Sequence, residues 1–332
     1  MFADAPPPPV SALSSIQLAG QRVVFAFSGT KIPENLFKRI SRGEAAGVIL
    51  FGDNVASIAQ VRRLTRALQA IRRPAPLNAP LLVMTDQEGG LVKRLPGAPD
   101  RSPPQMTSTA IARSEGRATA RTLRAAGVNV DLAPVVDVAR PGSEIEREGR
   151  SFGRSTSTVT TRARAFAAGL AAGGVAATAK HFPGFGAAGA NTDNTAVQIG
   201  SSLGTLRRVD EPPFTGARTP LVMISSVVYS ALDPGVPALL SRRVVSGELR
   251  RHLGFKGITV TDSLNAGSLV SEPNVLPRAV RAGDDLLLFT SYAASAHAVE
   301  RIGKLLRSGR LDRRVATAAV DRILALRRTL PR

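Results

Sequence analysis

Four short segments put charged and polar side chains where apolar runs end. Thr85-Asp86-Gln87-Glu88-Gly89-Gly90 closes one run, and Asn129-Val130-Asp131-Leu132-Ala133-Pro134-Val135-Val136-Asp137 spans another. Lys180-His181-Phe182-Pro183-Gly184 closes a third and Thr261-Asp262-Ser263 a fourth. Carboxylates, an ammonium and an imidazole brought to one place could replace the hydration of a polyhydroxylated ligand. They could also supply a carboxylate nucleophile and a general acid. Each residue alone has a plainer reading. Asp86 or Asp262 could be a helix N-cap or a strand-end turn residue. Lys180 and His181 are harder to dismiss, because burying both at a strand end requires partners for both. Asp86 and Asp262 would supply them.

The elements that must position these residues are legible as eight β-like runs. They are Val23–Ser28, Gly47–Gly52, Leu81–Asp86, Val128–Pro134, Val175–His181, Leu221–Ser226, Gly257–Asp262 and Asp285–Thr290. Most are continuously apolar, the pattern of parallel strands covered on both faces. Between them Ser57–Arg72, Ser108–Ala126, Thr156–Gly173 and Ser241–Leu253 have helical spacing, with Ala293–Ser308 and Asp312–Thr329 after the last strand. Gly127, Gly173, Gly174 and Gly254 stand where helix C-caps belong. Eight βα alternations in 332 residues predict a single (β/α)₈ barrel. A doubly wound open sheet is the runner-up, and the first strand lacks the glycine-rich phosphate turn that would favour it. In a barrel the strand C-termini form one rim, so the four polar segments should converge there. The expected division is a Pro-rich tether over residues 1–15 and one barrel domain over 16–332.

Composition narrows the function classes. The absence of cysteine excludes disulfides, Cys-based metal sites and thiol catalysis. A net charge of +19, mostly Arg spread along the whole chain, reads first as compositional bias and second as attraction to an anionic surface such as cell-wall fragments. No nucleic-acid motif accompanies it, and aromatics do not interleave with the Arg residues, so no nucleic-acid partner is expected. No apolar run is long enough to cross a membrane. Pro6-Pro7-Pro8-Pro9 reads as an extended tether of the kind that follows an export signal or lipid anchor, and the alternative location is the cytoplasm. The three histidines are scattered and no carboxylate cluster has ligand spacing, so neither a metal nor a cofactor is expected.

Together the segments carry a resemblance. Asp86-Gln87-Glu88-Gly89-Gly90-Leu91-Val92-Lys93-Arg94, the Asn129–Val138 block, Arg150-Ser151-Phe152-Gly153, Lys180-His181-Phe182-Pro183-Gly184, Val222-Met223, Tyr229, Leu253-Gly254-Phe255-Lys256-Gly257 and Thr261-Asp262 follow one another in order. In that order and spacing the chain resembles the β-N-acetylhexosaminidases of glycoside hydrolase family 3, in particular single-domain bacterial enzymes that trim N-acetylglucosamine from peptidoglycan fragments. The resemblance implies a carbohydrate substrate and retention through a covalent glycosyl-enzyme intermediate. It implies Asp262 as nucleophile and Asp86, Arg94, Arg150, Lys180 and His181 as the residues that hold the sugar.

The resemblance breaks in one loop. The family pattern continues after Pro-Gly with a His, then an Asp and a His two residues apart that serve as acid/base. Here the first His position is Phe185, and the loop Gly186–Thr195 contains Asp193 but holds Thr195 where the second His belongs. Another family His, before Tyr229, is Ser226, and Asn265-Ala266-Gly267 replaces a bulkier stretch. His252 is expected at the opposite rim and His297 on an outer helix. Asp193 is therefore the leading substitute acid/base, ahead of Glu88, Glu144, Glu146 and Glu148. The other reading is a sugar-binding relative with little or no turnover. A scaffold that uses only the basic surface is the third.

Overall fold

The computed structural model describes residues 9–332. Eight parallel strands, β1 Val23–Phe25, β2 Gly47–Ile49, β3 Leu82–Thr85, β4 Val130–Asp131, β5 Ala176–Phe182, β6 Leu221–Ile224, β7 Ile258–Thr261 and β8 Leu287–Leu288, form one sheet. Each pairs with its sequence neighbour, and β1 also pairs with β8. The ring closes where Val260 bridges Leu286, with Thr261 N–H donating to the Leu286 carbonyl at 3.0 Å. Seven of the strands lie inside the expected apolar runs, and β5 runs one residue past its own, to Phe182. This is the (β/α)₈ barrel.

The pleat sorts the side chains into two cores. Leu82, Met84, Val130, Leu132, Leu221, Met223, Val260 and Leu288 fill the barrel interior. The alternate residues Val83, Val222 and Leu287 face outward and pack with the helices through Leu123, Phe166, Leu249 and Val320. Burial on both faces explains why the runs read as continuously apolar.

The expected helices form with their caps. Ser57 caps Ile58–Ala70, Ser108 caps Thr109–Ala126 and Asp312 caps Arg313–Thr329, each side chain accepting from a first-turn N–H. Gly127 ends its helix at φ 76°, a left-handed cap, and a Cβ there would lie 2.2 Å from Thr65 Oγ1. Thr156–Ala172, Arg243–His252 and Tyr292–Arg307 complete the expected set. Shorter helices at Glu34–Ser41, Pro212–Gly216 and Val275–Ala282 follow β1, β5 and β7.

Of the tether expected over residues 1–15, residues 1–8 lie outside the described residues. In the described remainder, Val10 and Leu13 are buried in the outer core, Arg313 donates to the Ser11 carbonyl at 3.1 Å, and Ser14 opens the helix Ser15–Gly20 with a capping box. From Val10 the chain is packed against the barrel.

The last helix, Arg313–Thr329, seals the barrel at the N-terminal ends of the strands. Ile323 and Leu330 join the interior cluster. Fully buried Arg327 donates to the carbonyls of Pro80 at 2.7 Å, Ala79 at 2.7 Å and Leu77 at 3.1 Å, and to Gln21 Oε1. Asp285 is bound by Arg250 at 2.6 Å and Arg322 at 2.7 Å. Arg327→Ala would strand several buried acceptors, which costs about 3 kcal/mol. Urea unfolding should move to lower denaturant by that amount, while binding and turnover at the far rim persist at low temperature. An unchanged unfolding midpoint would refute the sealing role.

Candidate active site

The strand C-termini end in a cavity of about 240 Å³. That is small beside the roughly 300–1,000 Å³ of pockets for drug-sized ligands, and it suits one sugar ring. Asp86, Arg94, Arg150, Lys180, His181, Asp193 and Asp262 all line it. These seven expected site residues thus reach one mouth, as do Glu88 and Glu148, while Glu144 and Glu146 do not. Neither His252 nor His297 does.

Lys180 and His181 are consecutive on β5, and strict alternation would send them to opposite faces. The β5–β6 pairing slips between Ala179↔Val222 and Phe182↔Ile224, three steps on one strand against two on the other. Such a bulge re-aims side chains, and both residues reach the cavity.

Lys180 Nζ lies 2.7 Å from Asp86 Oδ1 and 2.7 Å from Glu88 Oε1. Glu88 then takes Arg150 in a two-pronged pair, both contacts at 2.8 Å, and Arg150 reaches Glu148 at 3.0 Å. Burial alone would raise the Glu88 pKa, but Lys180 and Arg150 overcome it and hold the carboxyl at about 2. Burial likewise works against the Lys180 ammonium, and Asp86 and Glu88 outweigh it, leaving its pKa above the ordinary lysine value. Glu88 sits on a two-strand hairpin, Gln87–Gly89 against Val92–Lys93, that continues from β3. The hairpin returns the chain so that Arg94 N–H donates to Gln87 Oε1 at 3.1 Å. Arg94 Nε is buried with no protein acceptor. A sugar hydroxyl or N-acetyl oxygen would satisfy such a donor.

His181 is fixed from behind. Its Nδ1 lies 2.8 Å from Asp137 Oδ2, while Asp137 Oδ1 accepts from the backbone N–H of His181 at 3.0 Å and of Phe185 at 2.7 Å. The buried carboxylate makes Nδ1 the protonated nitrogen and leaves Nε2 free. The Phe185 ring stands 5.5 Å from the imidazole, centroid to centroid, and forms part of the cavity wall.

Asp262 follows β7, half-buried, with Oδ1 accepting Ser263 N–H at 2.8 Å. Burial raises its pKa above the ordinary aspartate value. His181 and Lys180 pull it down, and Asp193 pushes it up. Asp193 is thus close enough to act on Asp262 through its charge, although it is exposed. The segment carrying it is pinned to the chain after β7 by Gly267 N–H to the Asp193 carbonyl at 2.9 Å and Ser268 N–H to the Thr192 carbonyl at 3.2 Å. Asn191 Oδ1 accepts the Asp193 N–H at 2.9 Å.

The other carboxylates weighed as acids are held in pairs. Glu88 has two cations, Glu144 binds Arg147, Glu146 binds Arg154 at 2.5 Å and Glu148 binds Arg150. Sequence reasoning missed Asp137, the anchor of His181, and Asp131. Buried Asp131 accepts Gln87 N–H at 3.1 Å through one oxygen and leaves the other without a partner. Burial raises its pKa well above the usual range, with Asp86 and Glu88 adding repulsion that Lys180 opposes. Both aspartates stood in the Asn129–Val138 block.

The sequence matches the Glycosyl hydrolase family 3 N terminal domain over residues 13–326. It is 39% identical over 339 residues to an uncharacterized secreted glycosyl hydrolase of Arthroderma benhamiae, covering 97% of this chain and 96% of that protein. A β-hexosaminidase of Alkalilimnicola ehrlichii is 32% identical over 299 residues, covering 84% of this chain and 83% of that one. The fold superposes on a family 3 β-N-acetylglucosaminidase from Paenibacillus with a TM-score of 0.90 at 32% identity, covering 96% of this chain but 63% of that longer one. A β-N-acetylhexosaminidase from Beutenbergia cavernae gives 0.85 at 31% identity, covering 96% and 99%. This chain therefore belongs to glycosyl hydrolase family 3, and it is similar to that family's β-N-acetylglucosaminidases.

Proposed function

We propose that the chain is a retaining glycoside hydrolase acting on a terminal β-linked N-acetylhexosamine of cell-wall glycans. Asp262 is the nucleophile and Asp193 the acid/base. Asp86, Arg94, Arg150, Lys180 and His181 hold the sugar. The observation that carries this reading is the presence of two carboxyls, one just after β7 and one on the loop after β5, in the lining of one cavity. In the first step Asp262 attacks the anomeric carbon as the glycosidic bond breaks. Asp193 delivers its proton to the departing oxygen. In the second step Asp193 takes a proton from water, the water oxygen bonds to the anomeric carbon, and the ester to Asp262 breaks. Lys180 and the nearby imidazole favour the ionised form of Asp262. The names of the relatives support the N-acetylhexosamine, and the charge of +19 supports an anionic polymer as its carrier.

A second reading, a sugar-binding relative with little turnover, draws on Phe185. The apolar ring occupies the position beside His181 where the family pattern places a histidine, and Asp193 is exposed to water.

Hydrolysis of aryl and alkyl N-acetylglucosaminides separates the two. Asp262→Asn should abolish turnover of both. Asp193→Ala should cost roughly 10²–10⁴-fold on the alkyl glycoside, the usual worth of a general acid, and far less on an activated aryl glycoside, with azide restoring the second step. Calorimetric binding of free N-acetylglucosamine without any turnover, the same in Asp262→Asn, would reject the hydrolase.

The pH profile gives an independent test. Asp262 must be ionised to attack, and its pKa is raised, so kcat/KM for an aryl glycoside should fall on the acid side at a pH above the ~3.9 of a free aspartate. Removing the repelling charge favours ionisation, so Asp193→Asn should shift that acid limb to lower pH. A limb that stays in place would remove Asp193 from the vicinity of the nucleophile.

A further inference from the structure

Outside the cavity, two buried acids among the described residues, Glu211 and Asp284, have carboxylate oxygens that accept no hydrogen bond, and Glu211 is the one that stands beside other ligating groups. Glu211 lies just before Pro212–Gly216, in the helical stretch that links β5 to β6, and its residue surface is fully covered. The side chain beside it is Glu248, another carboxylate. Burying an ionised carboxylate without compensation is costly, so a cation or a proton must accompany it. Arg207 is committed elsewhere. It forks onto Glu248, Nε to Oε1 at 2.7 Å and the second prong to Oε2 at 3.0 Å.

Glu248 and His252 stand four residues apart on helix Arg243–His252, the spacing that stacks two side chains on one face. His252 Nε2 lies 3.7 Å from Glu248 Oε1. One ligand atom each from Glu211, Glu248 and His252 falls within 4.8 Å of the others. The first two are buried and His252 is exposed, so the cluster opens to solvent at the imidazole.

We propose that Glu211, Glu248 and His252 form a site for a divalent transition-metal cation of the zinc type. Two carboxylate oxygens and one imidazole nitrogen are a borderline donor set, and the histidine favours Zn²⁺ over Mg²⁺ or Ca²⁺. The ligand atoms need to draw together by little more than an ångström to meet tetrahedral spacing, and the exposed His252 is free to move. Solvent supplies the fourth position. Bound there, the ion ties the stretch after β5 to the helix after β6 and neutralises Glu211. The sequence reading found no such cluster because Glu211 comes from a different helix.

The experiment uses the full chain, stripped with chelator and titrated with Zn²⁺ by calorimetry and by equilibrium dialysis with elemental analysis. One equivalent should bind, raising Tm by about 4 °C at saturation. Glu211→Gln and His252→Ala should each weaken that equivalent at least tenfold while leaving aryl glycoside hydrolysis unchanged. Glu211→Gln fills the same buried space with a neutral group, so its folding is preserved, and the exposed His252 position is a second, independent probe. Asp193→Asn and Asp262→Asn control for Zn²⁺ held in the cavity and should not alter the equivalent. No Zn²⁺ bound by the parent chain would overturn the proposal and leave Glu211 sharing a proton with Glu248. So would binding that survives both Glu211→Gln and His252→Ala, or that is lost only in the cavity variants.

Discussion

The buried ammonium of Lys180 is the constraint on which the mouth of the barrel depends. It has almost no contact with water, so it must be matched by charge, and Asp86 and Glu88 each stand 2.7 Å away to do so. Those two carboxylates come from the end of β3 and from the hairpin beyond it, and Arg150 enters from the chain after β4. Three segments are therefore locked by one set of charges that no member can leave without stranding another. Buried pairs of this kind add little net stability over an apolar core, and their worth lies in fixing geometry. Glu88, held at about 2, stays ionised throughout the neutral range, so the lattice keeps one protonation state where a sugar would bind.

Against that settled lattice, Asp262 and Asp131 are left under-compensated. Burial lifts both, and the cations that would lower them are shared with Asp86 and Glu88. The cavity thus divides into a neutralised wall and an electrostatically loaded one. A wall of fixed donors and acceptors suits ground-state binding, and a carboxylate whose charge is only partly stabilised suits attack on a developing oxocarbenium centre. The opposite end of the barrel shows the other use of buried charge. Arg327 there meets carbonyls and Asp285 meets two arginines. Chemistry at one rim and closure at the other is the division expected of this architecture.

The strands were legible because burial on both faces writes continuous apolar runs, and the rim was legible because those runs stop at Asp86, Lys180, His181 and Asp262. Three features were not. The bulge on β5 depends on pairing with β6, and a period of two would have separated Lys180 from His181. The place of Asp193 depends on hydrogen bonds to Gly267 and Ser268, far along the chain, and no local signal in Gly186–Thr195 encodes them. Asp137 is a second-layer carboxylate whose role exists only once His181 is beside it. Within the described part of the N-terminal stretch, Val10 and Leu13 are buried in the outer core, and the Pro-rich composition before them carried no signal of it.

In the reading proposed above a carboxyl stands beside Asp262 where the family pattern has an imidazole, and this changes the coupling between the two groups. A protonated histidine next to Asp262 would favour its ionised form. Asp193, when ionised, disfavours it. That coupling follows the reaction cycle proposed above. Esterification of Asp262 removes its charge at the moment when the second carboxyl has given up a proton and must act as base. Repulsion that opposes ionisation before attack therefore vanishes after it. His181, with Nδ1 tied to Asp137 and Nε2 free, is the group placed to damp the remaining field without entering the proton transfer. The phenylalanine at position 185 then has a physical role as well as an absence to account for. An apolar wall beside that imidazole keeps water from its near face.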